Sequence, residues 1–197
     1  MTDKNATVQE GYFNEKYGAD IDPWDYVNSP YEAEKYKTTV DALDRRLYKN
    51  ILEIACSIGI LSEKLASKTK HLLCIDIADA PLAVAKKRLA PYPNVAVQKM
   101  MVPNQFPTEE FDAIVVSEMA YYLGMDDLKK LGELIIAHLE QSGQLVLVHW
   151  LPFVEEHPLT GDEVHEYFLG LSKVGGSLTH VHHQRKEKYR IDVFEKN

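Results

Sequence analysis

Three acidic side chains stand at the ends of apolar runs, where a carboxylate can face a ligand rather than a core. Glu53 lies in ILEI (51–54), Asp76 closes LLCID (72–76), and Glu118 closes FDAIVVSE (111–118). Between the first two runs is a turn of small residues, Ala55-Cys56-Ser57-Ile58-Gly59, leading into a helical segment. An acid ending the second strand of such a strand-turn-helix-strand unit is placed to accept hydrogen bonds from both hydroxyls of a ribose. Asp76 has that position, 17 residues after Gly59; its plainer role would be to cap the turn that follows.

The turn also limits what the ribose carries. A pyrophosphate needs backbone access at several positions, but Ala55 and Ser57 each add a side chain and Glu53 adds a charge. A carboxylate is tolerable beside a zwitterionic amino acid group. S-adenosylmethionine, an adenosine joined through a sulfonium to an amino acid, fits these residues better than a dinucleotide. Further contacts are expected from the carboxyl ends of the strands: Ile77, the stretch Met100–Asn104, of which Met100, Met101 and Val102 are carried as cofactor contacts, and Ser117.

Methyl transfer from a sulfonium needs nucleophile, methyl and sulfur held in line, and positioning of this kind is worth about 7–11 kcal/mol in the best intramolecular cases. Glu118 is the leading candidate to orient an amine and take its proton; the alternative is a structural cap for the turn into Met119–Tyr122. Of the following pair Tyr121-Tyr122, one is expected to wall the transfer site and the other to lie in the core, with Tyr122 carried as the site residue. His149 near the end of QLVLVHWL (144–151) is either an acceptor-side base or a core histidine with a local partner. His180, His182 and His183 suggest a metal, but strand alternation puts only the first two on one face, and no third ligand is evident; no metal site is expected.

The elements that must position these residues follow from periodicity. Apolar runs at 51–54, 72–76, 95–100, 111–118 and 144–151 alternate with helical patterns at 59–67, 79–89 and 126–139, which means a parallel sheet covered on both faces. Asp79 is expected to cap the second of those helices, with Pro81 in its first turn. Thr160 and Glu163 form a capping box before a helix over 161–172. Two period-2 strands, 178–184 and 188–194, are joined too closely for a crossover and must pair antiparallel. Before the first strand, Ala33, Tyr36, Val40, Leu43 and Leu47 predict an amphipathic helix over 30–48. Residues 1–31 carry six aromatics that should dock over the core, while Gly11, Gly18, Pro23 and Pro30 oppose a long regular element there.

At 197 residues the chain has room for one substantial core. We expect a single domain, with 1–48 forming a lid, 49–151 the cofactor-binding core, and 152–197 an acceptor-side helix and closing hairpin. The net charge of -8 repels phosphate backbones, and the basic cluster Arg185, Lys186, Lys188 and Arg190 is diluted by Glu187, so no nucleic-acid partner is expected. No run approaches the roughly 18 apolar residues of a membrane span, and Cys56 and Cys74 make neither a disulfide framework nor a metal knuckle. A cytoplasmic monomer or weak homodimer acting on a small polar acceptor is the expectation.

With those residues in view, the sequence resembles the class I S-adenosylmethionine-dependent methyltransferases over nearly its whole length. LEIACSIGILSEKLA resembles their first motif, CID (74–76) the ribose-binding strand end, FDAIVVSEMAYYL (111–123) the fourth-strand motif, and HLEQSGQLVLVHW (138–150) the lead-in to the fifth strand. The resemblance implies a Rossmann-like seven-stranded sheet whose last strand is antiparallel. Ala55 and Ser57 replace the motif's first two glycines, and alanine can keep such a turn where its φ is negative. The resemblance also implies a polar residue near the adenine amino group after the third strand; Met100 or Met101 falls there, so backbone atoms are expected to read the adenine edge while a methionine packs on its face. DPWDYVNSPYEAEKY (22–36), together with Glu118 and Tyr121-Tyr122-Leu123, is similar to the nodulation protein S (NodS-like) subgroup. That likeness implies N-methylation of an aminosugar or saccharide end, with Trp24 and Tyr31 lying over the cofactor. A weakly active or inactive relative and an O-methyltransferase are the alternatives.

Overall fold

The computed structural model describes residues 4–197. Five strands run parallel: β1 (Tyr48–Ile54), β2 (Thr69–Asp76), β3 (Val95–Lys99), β4 (Phe111–Ser117) and β5 (Leu139–Trp150). Leu-, Ile- and Val-rich runs bury both faces of most of β1, β2, β4 and β5, while the edge strand β3 is half-buried or exposed along its length. β6 (Leu178–Arg185) and β7 (Tyr189–Lys196) close the sheet as an antiparallel hairpin, giving the order β3-β2-β1-β4-β5-β7-β6. The chain leaves β3 at one edge and re-enters at β4 beside β1, so a crevice opens beyond the carboxyl ends of β1 and β4.

Helices cover both faces because every parallel step needs a crossover. Leu52, Ile54, Ile114 and Val116 pack one way, toward Leu128, Leu131 and Ile135 of α5 (Met125–His138) and Phe168 of α6 (Gly161–Leu171). Ile51, Val115 and Val146 face the other way, toward α3 (Ile60–Leu65) and α4 (Asp79–Leu89). Gly59, at φ 81, enters α3 where an added Cβ would lie 3.3 Å from Ala85 and Leu89 of α4, so this glycine serves helix-helix approach. No helix of the described residues is long and apolar enough to cross a membrane.

The differences from the sequence reading have local causes. Gly11 and Gly18 do not prevent a helix: α1 (Glu10–Ala19) contains both, each facing open space, because Tyr12, Phe13 and Tyr17 pack it onto the body of the protein. α2 (Pro30–Asp41), capped by Ser29, stops short of residue 48; Leu43 is buried beyond its end while Leu47 is exposed where the chain turns into β1. β5 begins at Leu139 and absorbs the expected turn at 141–143, with Ser142 at φ 57. Asp79 does not cap α4. Ala78 holds the cap position, Asp76 accepts its N–H, and the Asp79 carboxylate pairs with Lys99 at 2.6 Å. The Thr160–Glu163 capping box is present in full.

Strand β6 carries a further correction. A register shift between His180 and His182 leaves Val181 as an extra residue in the ladder. Alternation is broken, and His180 and His183, rather than His180 and His182, share a face and converge on Asp192 of β7.

Candidate active site

The crevice at the strand ends holds about 960 Å³, counting its open mouth, within the range of small-molecule sites. The turn after β1 forms one wall. Ala55, Ser57 and Gly59 sit at φ 65, 49 and 81, so the three positions where the resembled motif favours glycine all adopt left-handed backbone. The expectation of a negative φ at Ala55 is therefore overturned: the turn keeps its shape at the cost of strain in two L-residues, about 1–2 kcal/mol each. The Ser57 hydroxyl lies 2.6 Å from that of Tyr17, tying α1 to the turn.

Asp76 lines the cleft, and backbone donors already hold its carboxylate. The N–H groups of Ser57 and Ala78 donate to Oδ2 and Oδ1 at 2.9 and 3.0 Å. Burial raises its pKa against the lowering effect of those donors. Each oxygen retains a lone pair, so holding the turn and receiving a ribose hydroxyl are compatible roles. Trp24, Ala55, Ser57, Ile77, Met100, Met101, Val102 and Ser117 also line this cleft.

Other expected cofactor residues lie elsewhere. Glu53 and Cys56 face a smaller adjoining recess rather than the main cleft. Glu53 is fully buried, its Oε2 has no hydrogen-bond partner, and burial lifts its pKa to about 7, with Ser62 and Cys74 tempering the rise. Gly59 lines neither space, for the packing reason given above. Tyr31 is not over the main cleft: it wedges between Trp150 and Tyr189, with ring centroids 5.9 Å from each. The backbone donors of Met100 and Met101 are taken by Asp76 O and Gln105 Oε1, at 3.0 Å each, so the expected adenine readout through them is not free. Asn104, also on this wall, presents an exposed side chain instead.

Beside the main cleft lies a second space of about 1080 Å³, walled by aromatic side chains including Tyr12, Trp24, Tyr31, Tyr122 and Trp150. Glu118 lines both. At φ 55 it leaves β4, and its carboxylate is the centre of a network. Lys35 Nζ donates to Oε1 at 2.6 Å; the Tyr121 hydroxyl and Trp150 N–H donate to Oε2 at 2.7 and 2.9 Å. Lys35, almost wholly buried, also donates to Glu32 at 2.9 Å. Burial opposes its charge, but Glu118 and Glu32 outweigh burial and raise its pKa. Tyr122 walls both spaces, with Phe13 edge-on at 5.0 Å and His157 at 4.5 Å. Tyr121 lines the second space as well, so neither tyrosine is purely core.

For His149 the structure has the second of the two expectations, a core histidine with local partners. It has no exposed surface, and its Nε2 accepts the Ala120 N–H at 3.3 Å. Nδ1 therefore carries the proton and donates to His165 Nε2 at 3.1 Å; His165 Nδ1 in turn donates to Asp192 Oδ2 at 2.5 Å. Burial and the neighbouring His165 hold the His149 pKa well below the ordinary histidine value.

Lys35, Tyr17 and Phe13 were not singled out from the sequence as site residues. A buried lysine in an otherwise polar helix has no local signature, whereas the aromatics of residues 1–30 gave a signal without an address. The docking of that segment is specific: the Val8 N–H donates to Tyr122 O at 2.8 Å, and Thr7 Oγ1 donates to Asp127 and accepts the Gly124 N–H. A Cβ on Gly124 would come within 2.4 Å of Asn5 O, so glycine there lets the strap close.

This geometry can be set beside known proteins. The family model described as nodulation protein S (NodS) matches residues 9–149. The chain belongs to the nodulation protein S family. A curated relative, nodulation protein S of Rhizobium tropici, is 33% identical over 113 residues, 56% of this chain and 47% of the relative. The chain spans about half the length of such curated relatives where it matches them. Among solved structures, a candidate methyltransferase of Pseudomonas syringae is 31% identical, with a TM-score of 0.73 over 84% of this chain and 99% of that one. The N-methyltransferase NodS of Bradyrhizobium japonicum WM9, solved with S-adenosyl-L-homocysteine, superposes with a TM-score of 0.82 at 24% identity, covering 95% of this chain and 97% of the other. That likeness shows a shared fold.

Proposed function

We propose that this NodS-family chain transfers a methyl group from S-adenosylmethionine to an amine of a small polar acceptor, such as an aminosugar or a saccharide end. The observation that carries the reading is the position of Glu118, whose carboxylate borders both the Asp76 cleft and the aromatic space. A donor in one and an acceptor in the other would meet there. The Bradyrhizobium structure, solved in complex with S-adenosyl-L-homocysteine, supports the donor.

The residues fit that donor. Asp76 accepts ribose hydroxyls on its remaining lone pairs, the 55–57 turn receives the amino acid portion, and Asn104 and the Met100-Met101 pair meet the adenine. When bound, S-adenosylmethionine supplies an electrophilic methyl on a sulfonium. The chain's own contribution is positional: Lys35, Tyr121 and Trp150 N–H fix the Glu118 carboxylate, which accepts a hydrogen bond from the acceptor amine and orients its lone pair. A proton lost from nitrogen passes to Glu118 or to water at the open mouth. Trp24, Tyr31, Tyr122 and Trp150 offer ring faces to a sugar, and Glu156 on the rim favours a cationic group.

The test is a screen of amines, aminosugars, phenols and carboxylates with labelled S-adenosylmethionine, the products identified by mass spectrometry. Methylated aminosugar, lost in Glu118→Ala while S-adenosylhomocysteine still binds by calorimetry, is the expected result. Transfer to oxygen alone would overturn the acceptor assignment; no binding of S-adenosylhomocysteine would overturn the reading itself.

A further inference from the structure

Away from the cleft, on the face of the closing hairpin, the two oxygens of the fully buried Asp192 carboxylate do different jobs. Oδ2 points inward and accepts from His165 Nδ1 at 2.5 Å and Arg190 Nε at 2.6 Å. Oδ1 points outward, 2.7 Å from His180 Nε2 and 2.8 Å from His183 Nδ1. The three outer ligand atoms lie within 4.8 Å of one another, and the imidazoles are partly open to solvent. The bulge at Val181 is what brings both histidines to one face.

We propose that His180, His183 and Asp192 form a binding site for a zinc-class divalent cation. Two imidazole nitrogens and one carboxylate oxygen, with the remaining position open to water, are a borderline-soft donor set suited to zinc and poor for calcium or magnesium. The set is supported from behind as metal ligands commonly are: His165 and Arg190 hold the carboxylate through its other oxygen, so Oδ1 is aimed without distorting the hairpin. The positive charge of Arg190 is offset by Asp162 and Glu166, each 3.1 Å from its Nη1. On binding, the two N–H groups now facing Oδ1 give way to bare nitrogens. A neutral imidazole achieves this by moving its proton to the other ring nitrogen, and an imidazolium by releasing one proton.

The site would fasten edge strand β6 to β7. Through Asp192, His165 and His149 it is continuous with the Ala120 N–H at the turn that carries Tyr121. It is independent of the proposed methyl transfer, since none of its three ligands borders either cleft.

The experiment uses the full chain, stripped with chelator and titrated with Zn²⁺ alone by calorimetry and thermal melting. One ion per chain is expected, with a rise in Tm. Co²⁺ in its place should give the visible bands of a four-coordinate site. Both histidines are on the surface, so His180→Ala and His183→Ala should fold; each should weaken Zn²⁺ binding more than about tenfold and remove the Tm rise. His182→Ala, on the opposite face, should leave both unchanged. Absence of binding at millimolar Zn²⁺, equal binding by the His180→Ala/His183→Ala double variant, or a loss in His182→Ala as large as in His183→Ala would each overturn the proposal.

Discussion

Lys35 and Glu118 are 83 residues apart in sequence and 2.6 Å apart in space, and their ion pair ties α2 to the carboxyl end of β4. The pair is nearly dry: the side chains retain 2% and 12% of their exposure. A second carboxylate, Glu32, shares the same ammonium. A buried charge survives there only because all three groups are present.

Lys35→Met should therefore destabilise the protein by about 3–5 kcal/mol, leaving two buried carboxylates without a counter-ion. Urea denaturation at neutral pH measures it. Adding Glu32→Gln to Lys35→Met should recover part of the loss. A single variant within about 0.5 kcal/mol of the parent would mean that water reaches this site freely and the network is not a structural unit.

Asp76→Ala should weaken S-adenosylhomocysteine binding by about 1.5–3 kcal/mol, the cost of losing charged hydrogen bonds to a ribose. It also strips the Ser57 and Ala78 N–H groups of their acceptor, so the turn loosens as well. Calorimetry paired with a melting curve separates the two effects. Unchanged affinity in a folded variant would assign Asp76 to the turn alone.

How much of this was readable beforehand depended on whether the cause was local. The parallel strands, the Thr160–Glu163 box and the closing hairpin follow from periodicity and loop length, and all are present. Asp76 was legible because a strand end fixes where a side chain points. Lys35 was not, because its burial depends on two carboxylates brought from other turns of chain, one of them on another element. The same holds for His149, whose two partners, Ala120 and His165, come from different segments. The β6 histidines failed for another reason: a single extra residue at Val181 reverses the face of everything after it, and no residue type announces it.

Ala55→Gly should stabilise the protein by about 0.5–1 kcal/mol, since glycine relieves left-handed strain at φ 65 but loses more chain entropy on folding. Ser57→Gly should gain less or nothing, because it gives up the contact with the Tyr17 hydroxyl. Denaturation midpoints compare the two. If Ala55→Gly lost 1 kcal/mol or more, the methyl group would have to be making contacts that outweigh the strain.

His149 should be the neutral Nδ1–H tautomer in the folded protein, because the Ala120 N–H occupies Nε2. Burial and His165 depress its pKa, so it contributes stability that is full above the unfolded value of 6.5 and is lost as pH falls below it. Nitrogen-15 imidazole shifts report the tautomer directly. A ring that titrates near pH 6.5 while the fold remains intact would contradict the buried arrangement.

Glu53 works in the opposite sense. Its folded pKa, about 7, lies above the ordinary 4.5, so between those values the folded state keeps a proton that the unfolded chain releases. Stability attributable to Glu53 is therefore intact below about pH 4.5, falls as pH rises through this window, and levels off above about pH 7. The loss is about 3 kcal/mol in all. Glu53→Gln keeps the shape of the neutral acid without its ionisation. Its stability relative to the parent should grow across the window, and taking the difference between the two proteins cancels the histidine contribution. Measurement needs only urea midpoints at a series of pH values, in the absence of ligand. A difference that stays flat from pH 5 to 8 would show that Glu53 ionises in the fold as readily as in water.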